Sequence, residues 1–326
     1  MYLMRQACLV AGLLILLTGC QMPPQTKLLL AEPPAIASQH LIPHVPFYPQ
    51  QEYFCGPTTL SEVAGFYGLE KDPATIAPTT FIPGLQGTLQ IEMTSATRQL
   101  GLLAYAQRGS MAQLLSLVAE NIPVIVLQNN SLAWLPQWHY AVVIGYDLQS
   151  KEVILHTGVT ESHRLNFSTF ERTWARGNYW LLAMLPADKS SPQLEPFIYT
   201  KASQDLLNTQ QMNGGITALK TATAQWPDYW LPYFLLGNHY FSSEPLVAAQ
   251  WFEKGLPYAE QEISYLNNYA VLLSEQGCHA KATTLIEAAL NISPNDSNLL
   301  DSQKQIRASG ASGSNTISQC QLQTAS

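Results

Sequence analysis

Cys55 sits in a run whose residue types suit nucleophilic chemistry: Gln50-Gln51-Glu52-Tyr53-Phe54-Cys55-Gly56-Pro57-Thr58-Thr59-Leu60. Leu60, Val63, Ala64 and Tyr67 recur at helical spacing directly afterwards, so the cysteine opens an amphipathic helix. The partial positive charge of a helix N-terminus favours thiolate, and thiolate is the nucleophile. Gly56 allows close backbone approach, and Pro57 is at home in a first helical turn. A glutamine a few residues upstream offers an amide donor to a developing oxyanion. The plainer alternative is a buried structural cysteine. Against it stands Trp138-His139-Tyr140-Ala141-Val142-Val143-Ile144-Gly145-Tyr146-Asp147, in which His139 opens an apolar strand ahead of a hairpin turn and offers a general base.

The string Cys-Gly-Pro-x-x-Leu, followed some eighty residues later by His-Tyr-Ala-Val-Val-x-Gly-Tyr, resembles the bacteriocin-processing (double-glycine) family of cysteine peptidases. That family cuts leader peptides after paired glycines and is often fused to an export ATPase. The resemblance extends to Asn121-Ile122-Pro123-Val124-Ile125-Val126 and to Phe170 with Trp174, and it covers residues 44–187. It implies a papain-like α+β domain with Cys55 as nucleophile, His139 as base and a glutamine at the oxyanion. In the family that glutamine usually lies six residues before the cysteine. Here Gln50 and Gln51 lie five and four before; Gln50 is preferred and Gln51 stays open. The family also orients its histidine with an aspartate on the strand after the hairpin, where this chain has Ile154-Leu155-His156-Thr157-Gly158. Asp147 is a poor substitute, since eight residues at ~3.3 Å each put it about 26 Å along the strand from His139. A hairpin turning near Gln149-Ser150 brings positions 156–160 opposite His139, so His156 or Thr157 takes the role. Such a neutral partner orients an imidazole but stabilises imidazolium less than a carboxylate does. A thiol pKa well below the ordinary value is nonetheless expected, because thiolate and imidazolium stabilise each other.

The elements around these residues read as helices followed by strands, which argues for α+β rather than a doubly wound sheet. Thr88 is expected to cap a helix bearing Leu89, Met93, Ala96 and Leu100, and Ser110 one bearing Leu114, Leu117 and Val118. Strands are expected at Val124–Leu127, His139–Tyr146, Val153–Leu155 and Tyr179–Leu185. His163 reads as part of a polar turn.

At the N-terminus one cation, Arg5, precedes the apolar run Ala7–Leu17, which is too short to span a bilayer but suits a signal-peptide core. It ends in Leu17-Thr18-Gly19-Cys20, which resembles the bacterial lipobox; the resemblance implies cleavage after residue 19 and acylation of Cys20. Several acyl chains anchor firmly where one does not. Gln21 stands in place of the aspartate that often retains such proteins in the inner membrane, so an outer-membrane protein facing the periplasm is expected. Residues 20–43, with Met22-Pro23-Pro24 and Glu32-Pro33-Pro34, read as a lipidated tether. Export implies an oxidising compartment and leaves Cys55, Cys278 and Cys320, an odd number. A free Cys55 with Cys278 and Cys320 paired is expected.

Beyond the polar stretch Asp188-Lys189-Ser190-Ser191-Pro192, residues 198–308 read as an all-α domain of tetratricopeptide-like repeats that binds a protein partner. Pro227 and Pro294 are 67 residues apart, close to two periods of about 34. Gly237, Ala248, Ala270 and Ala282 fall where paired helices need small side chains. Residues 309–326 read as a disordered tail.

The net charge is -7, and loss of Arg5 with the signal makes it -8. No basic stripe is available to neutralise phosphates, which argues against nucleic acid. No zinc-ligand spacing or glycine-rich phosphate loop is evident, so neither metal nor other cofactor is expected. The reading is a membrane-anchored cysteine peptidase acting on a peptide or protein. Its rivals are an inactive peptidase-like scaffold and a peptidoglycan amidase using the same Cys/His pair.

Overall fold

The computed structural model describes residues 21–312 apart from Pro83, Leu85, Gln86 and Ala133. Residues 1–19, expected as a signal segment, the lipidation candidate Cys20, and Cys320 lie outside the described residues. The chain divides into two compact units: one runs to Leu100 and resumes over Ala104–Met184, and the other takes Gly101–Leu103 and the chain from Leu185. Among the described residues no helix is long and apolar enough to cross a membrane.

The first unit opens with α1 (Pro24–Ala31) and β1 (Gln39–Leu41), followed by α2 (Cys55–Phe66), α3 (Pro73–Thr80) and α4 (Gln90–Gln99). Then come β2 (Leu103–Arg108), α5 (Met111–Ala119), β3 (Val124–Asn129), β4 (Trp138–Asp147), β5 (Glu152–Thr157), β6 (Thr160–Asn166), α6 (Phe167–Arg176) and β7 (Trp180–Leu185). The strands form one seven-stranded sheet in the order β2-β7-β3-β4-β5-β6, with β1 added beside β4. The ladders from β7 across to β6 are antiparallel. Val124, Ile125 and Val126 on β3, and Ala141, Val142 and Val143 on β4, are wholly buried without alternation, the pattern of strands covered on both faces. The α+β reading holds for this unit. Ser110 caps α5 by accepting from the Gln113 N–H, as expected.

Several expectations are corrected. Residues 24–41 are part of the domain rather than a loose tether. The first-turn amides of α1, Gln25 and Thr26, donate to the buried Glu171 carboxylate on α6, and Leu29 is buried. A carboxylate at a helix N-terminus satisfies orphan amides and the helix dipole together. Thr88 does not cap α4; the cap position is Leu89, with no side-chain bond. His163 lies on edge strand β6 opposite Leu155, not in a turn. That strand, Thr-Glu-Ser-His-Arg-Leu-Asn, is polar because one side of it lacks a neighbour.

The second unit is helical: α7 (Pro196–Leu207), α8 (Met212–Gln225), α9 (Trp230–Tyr240), α10 (Pro245–Gly255), α11 (Ile263–Glu275), α12 (His279–Ile292) and α13 (Ser297–Ser312). Helices α9 to α13 pack on a shared core around Phe252, Tyr265 and Tyr269. Gly237 is a required glycine: a Cβ there would lie 2.7 Å from the Phe252 ring. Ala248, Ala270 and Ala282 are fully buried at the same kind of crossing. Residues 309–312, expected in a disordered tail, belong to α13, which is fixed by buried Leu299 and Ile306 and by a 2.8 Å hydroxyl bond between Ser309 and Ser274. Cys278 is disulfide-bonded, while Cys55 is a free thiol.

Candidate active site

The N-terminus of α2 abuts strand β4, and this contact assembles the site. The backbone amides of Tyr140 on β4, and of Gly56 and Cys55 at the helix end, act on the Cys55 sulfur to favour its thiolate. Gly56 lets the loop at Thr88 pack against this helix end, because a Cβ there would sit 2.6 Å from Thr88 Oγ1. Tyr140 fixes that loop in turn, its hydroxyl donating to the Thr88 carbonyl at 3.1 Å.

His139 precedes Tyr140 on β4, and its Nε2 lies 2.8 Å from Thr157 Oγ1 at the end of β5. With Nε2–H donating to that oxygen, Nδ1 is the ring nitrogen left to accept a proton. Thr157 is therefore the side chain that holds the His139 ring in place. His156, the other candidate, is not part of the site. It is buried, its Nε2 faces the Val45 carbonyl at 3.2 Å, and its Nδ1 accepts from the Ser162 N–H at 3.2 Å. With both nitrogens engaged and its ring against Phe47, it holds the segment before the site to the sheet. Asp147 lies at the far end of β4, where its carboxylate accepts from the Gln149 and Ser150 amides of the hairpin turn.

Gln50 is brought to the same strand: its side-chain amide donates to the Tyr140 carbonyl at 3.5 Å, and its own N–H bonds the Gly158 carbonyl at 2.9 Å. The side-chain bond is at the limit of useful length, so the amide is free to turn to a better acceptor. Gln51 is exposed and contributes its carbonyl to the turn that delivers Cys55.

Electrostatically the pair differs from the sequence expectation. Burial pushes the Cys55 thiol up from its ordinary value, against the pull of the three backbone amides. Burial also lowers the His139 imidazole. Both shifts disfavour charge, and no hydrogen bond joins the sulfur to the ring. Burial therefore works against a thiolate–imidazolium pair at this site. Catalytic hydrogen bonds are often long before substrate binds, so this geometry does not disable the pair.

Two contributors escaped the sequence reading. The Tyr140 amide follows from strand pairing, which no local pattern reports. Glu62 left a visible signal, a carboxylate amid Leu60, Val63 and Ala64 one helical face on from Cys55. It is fully buried, it accepts from the Tyr48 N–H at 3.1 Å, and burial pushes its carboxyl up to about 8. By holding Tyr48 it fixes the approach of Gln50, two residues on.

Residues 42–179 match the Peptidase_C39 like family. The C39-like region spans α2 to α6 and includes every residue of the site. Among solved structures, a Bacillus anthracis protein described as a C39-like peptidase aligns at 18% identity over 48% of this chain and 100% of that one, with a TM-score of 0.39. The peptidase domain of Streptococcus ComA, a bi-functional ABC transporter involved in a quorum-sensing pathway, aligns at 23% identity over 44% and 99% of the two chains, with a TM-score of 0.36. No curated protein matches the chain. Among the described residues no group of three or more His, Cys, Asp or Glu side chains could hold a metal ion.

Two titrations follow. Alkylation of Cys55 by iodoacetamide should rise with pH along a curve whose midpoint lies above the ~8.5 of a free cysteine. A midpoint well below that value would restore the ion pair. Glu62 is raised above its unfolded value, so its contribution to stability is full at acid pH and is lost as pH rises through about 8. Thermal unfolding should therefore show a Tm that falls between about pH 5 and 8, and E62Q should flatten that slope.

Proposed function

We propose that the chain is a cysteine peptidase of the cell envelope. The observation that carries the reading is the convergence, on one strand, of a free thiol at a helix N-terminus, a histidine oriented through Nε2, and a glutamine amide. On substrate binding, His139 Nδ1 takes the Cys55 proton as sulfur attacks the peptide carbonyl carbon. The carbonyl π pair moves onto oxygen, where the Gln50 amide and the Cys55 N–H hold the oxyanion. As the intermediate collapses, the C–N bond breaks and imidazolium protonates the leaving amine. Water, deprotonated by His139, then cleaves the thioester and restores the thiol. Burial raises the thiol and lowers the imidazole, which favours proton transfer from Cys55 to His139 during attack, a general-base mechanism.

The apolar run Ala7–Leu17 and the lipobox-like Leu17-Thr18-Gly19-Cys20 support a lipid anchor at Cys20 and, with Gln21 next, an outer-membrane site facing the periplasm. The helix pairs of the second unit read as tetratricopeptide-like repeats and as the surface for a protein partner. A scaffold without activity is the second reading, favoured by the uncharged Thr157 and the missing bond between Cys55 and His139.

Peptide hydrolysis by purified protein separates these. C55A and H139A should abolish turnover, and Gln50→Ala should lower it about a hundredfold, the usual loss for one oxyanion donor. Thr157→Val should reduce kcat while Thr157→Ser retains it, since only the hydroxyl orients the ring. Wild-type protein that hydrolyses neither peptides nor a cell-wall digest would leave the scaffold reading standing. For the anchor, palmitate label should be incorporated by wild type and lost in Cys20→Ala, with unprocessed precursor accumulating. Normal maturation of that variant would refute lipidation.

A further inference from the structure

The hairpin tip between β3 and β4 is an exposed apolar ridge. No Asp, Glu, Lys or Arg occurs between Glu120 and Asp147. Within that stretch Leu132, Trp134 and Leu135 are 56%, 78% and 61% exposed, and Trp138 at the foot is 52% exposed. The tip is a built turn. Buried Asn129 accepts from the Ser131 and Gln137 amides at 3.0 and 2.9 Å, and the Asn130 N–H bonds the Gln137 carbonyl at 3.0 Å. The apolar side chains are therefore presented outward by a hydrogen-bonded frame.

The foot of this ridge is tied to the N-terminal segment through α6. Arg176 donates from Nε and Nη2 to the Asn129 carbonyl at 3.0 and 2.8 Å. One turn earlier Arg172 donates from Nη2 to the Gln21 carbonyl at 2.8 Å. Gln21, Met22, Arg172 and Arg176 line one cleft of about 350 Å³. Gln21 directly follows Cys20. Because an extended chain covers at most ~3.5 Å per residue, an acylated Cys20 holds this end of α6 within roughly 10 Å of its own acyl chains. No slack is left for the unit to hang away from the bilayer.

We propose that this end of the first unit is a membrane-docking face that seats on phospholipid headgroups. Leu132, Trp134 and Leu135 enter the interface, where Trp and Leu are favoured, and the exposed Arg172 and Arg176 guanidinium groups meet the phosphates with the donors they have to spare. The proposal rests on Cys20 as the lipid-bearing residue. His139 follows Trp138 directly, so docking here opens the candidate site beside the membrane surface.

The test uses the full mature chain with Cys20→Ser, which has no acyl group, and vesicles of phosphatidylethanolamine and phosphatidylglycerol. Co-sedimentation should show binding that weakens about tenfold or more in the Leu132→Ser/Trp134→Ser/Leu135→Ser variant. It should weaken more modestly in Arg172→Gln, whose deficit vanishes at high salt. Trp134→Ser alone, with an unchanged thermal melt, serves if the triple variant misfolds. Equal sedimentation of wild type and ridge variants would overturn the proposal. So would a ridge variant that loses kcat/KM on a soluble peptide without vesicles, which makes the ridge a substrate wall. Self-association abolished by the same substitutions would assign it to a second copy and overturn the proposal as well. Because the assay contains no acylated protein, its failure is distinct from a failure of palmitate labelling at Cys20.

Discussion

Desolvation of the α2 N-terminus against β4 is the constraint on which the rest of the site depends. A thiol placed at a free helix end gains from the dipole and from water together. Here the strand removes the water and supplies one further amide, from Tyr140. The dipole and three N–H groups then act against a burial penalty that they do not overcome. The imidazole next along the strand suffers the same penalty in the opposite sense, which lowers its proton affinity. One packing contact therefore shifts both groups away from charge.

The same avoidance of charge recurs around the site. Thr157, not a carboxylate, holds His139, and Glu62 is kept protonated near neutrality by its burial. The carboxylates nearest in sequence to the hairpin, Asp147 and Glu152, stand at its far end beside Arg164, where solvent is available. A neutral orienting hydroxyl fixes the ring without favouring imidazolium in the ground state.

Glu171 has a comparable role at the other end of the first unit. One buried carboxylate accepts the first amides of α1 and the Tyr179 hydroxyl, so the N-terminal segment is closed onto α6. This turns residues that looked like a spacer into part of the domain wall. It also brings the point of chain entry beside the root of the β3–β4 tip. In the second unit the constraint is steric: Phe252 needs the space that Gly237 leaves, and aromatic side chains fill the seams between helices.

The chemistry-bearing residue types, their order and most of the elements that carry them were legible in the sequence because they depend on local periodicity. A cysteine opening α2, a histidine opening β4 and small residues at helix crossings each leave a pattern within a few residues. The polar edge strand β6 and helix α1 were not legible, since their burial depends on partners far along the chain. The choice between His156 and Thr157 also lay beyond sequence. Neighbours on a strand point to opposite faces, and only the register of β5 and the position of Val45 decide which one meets His139. The sequence by itself determined which groups could react. The tertiary structure alone decided the direction in which their proton affinities shift, because desolvation is a property of what surrounds a side chain and not of the residues beside it in the chain.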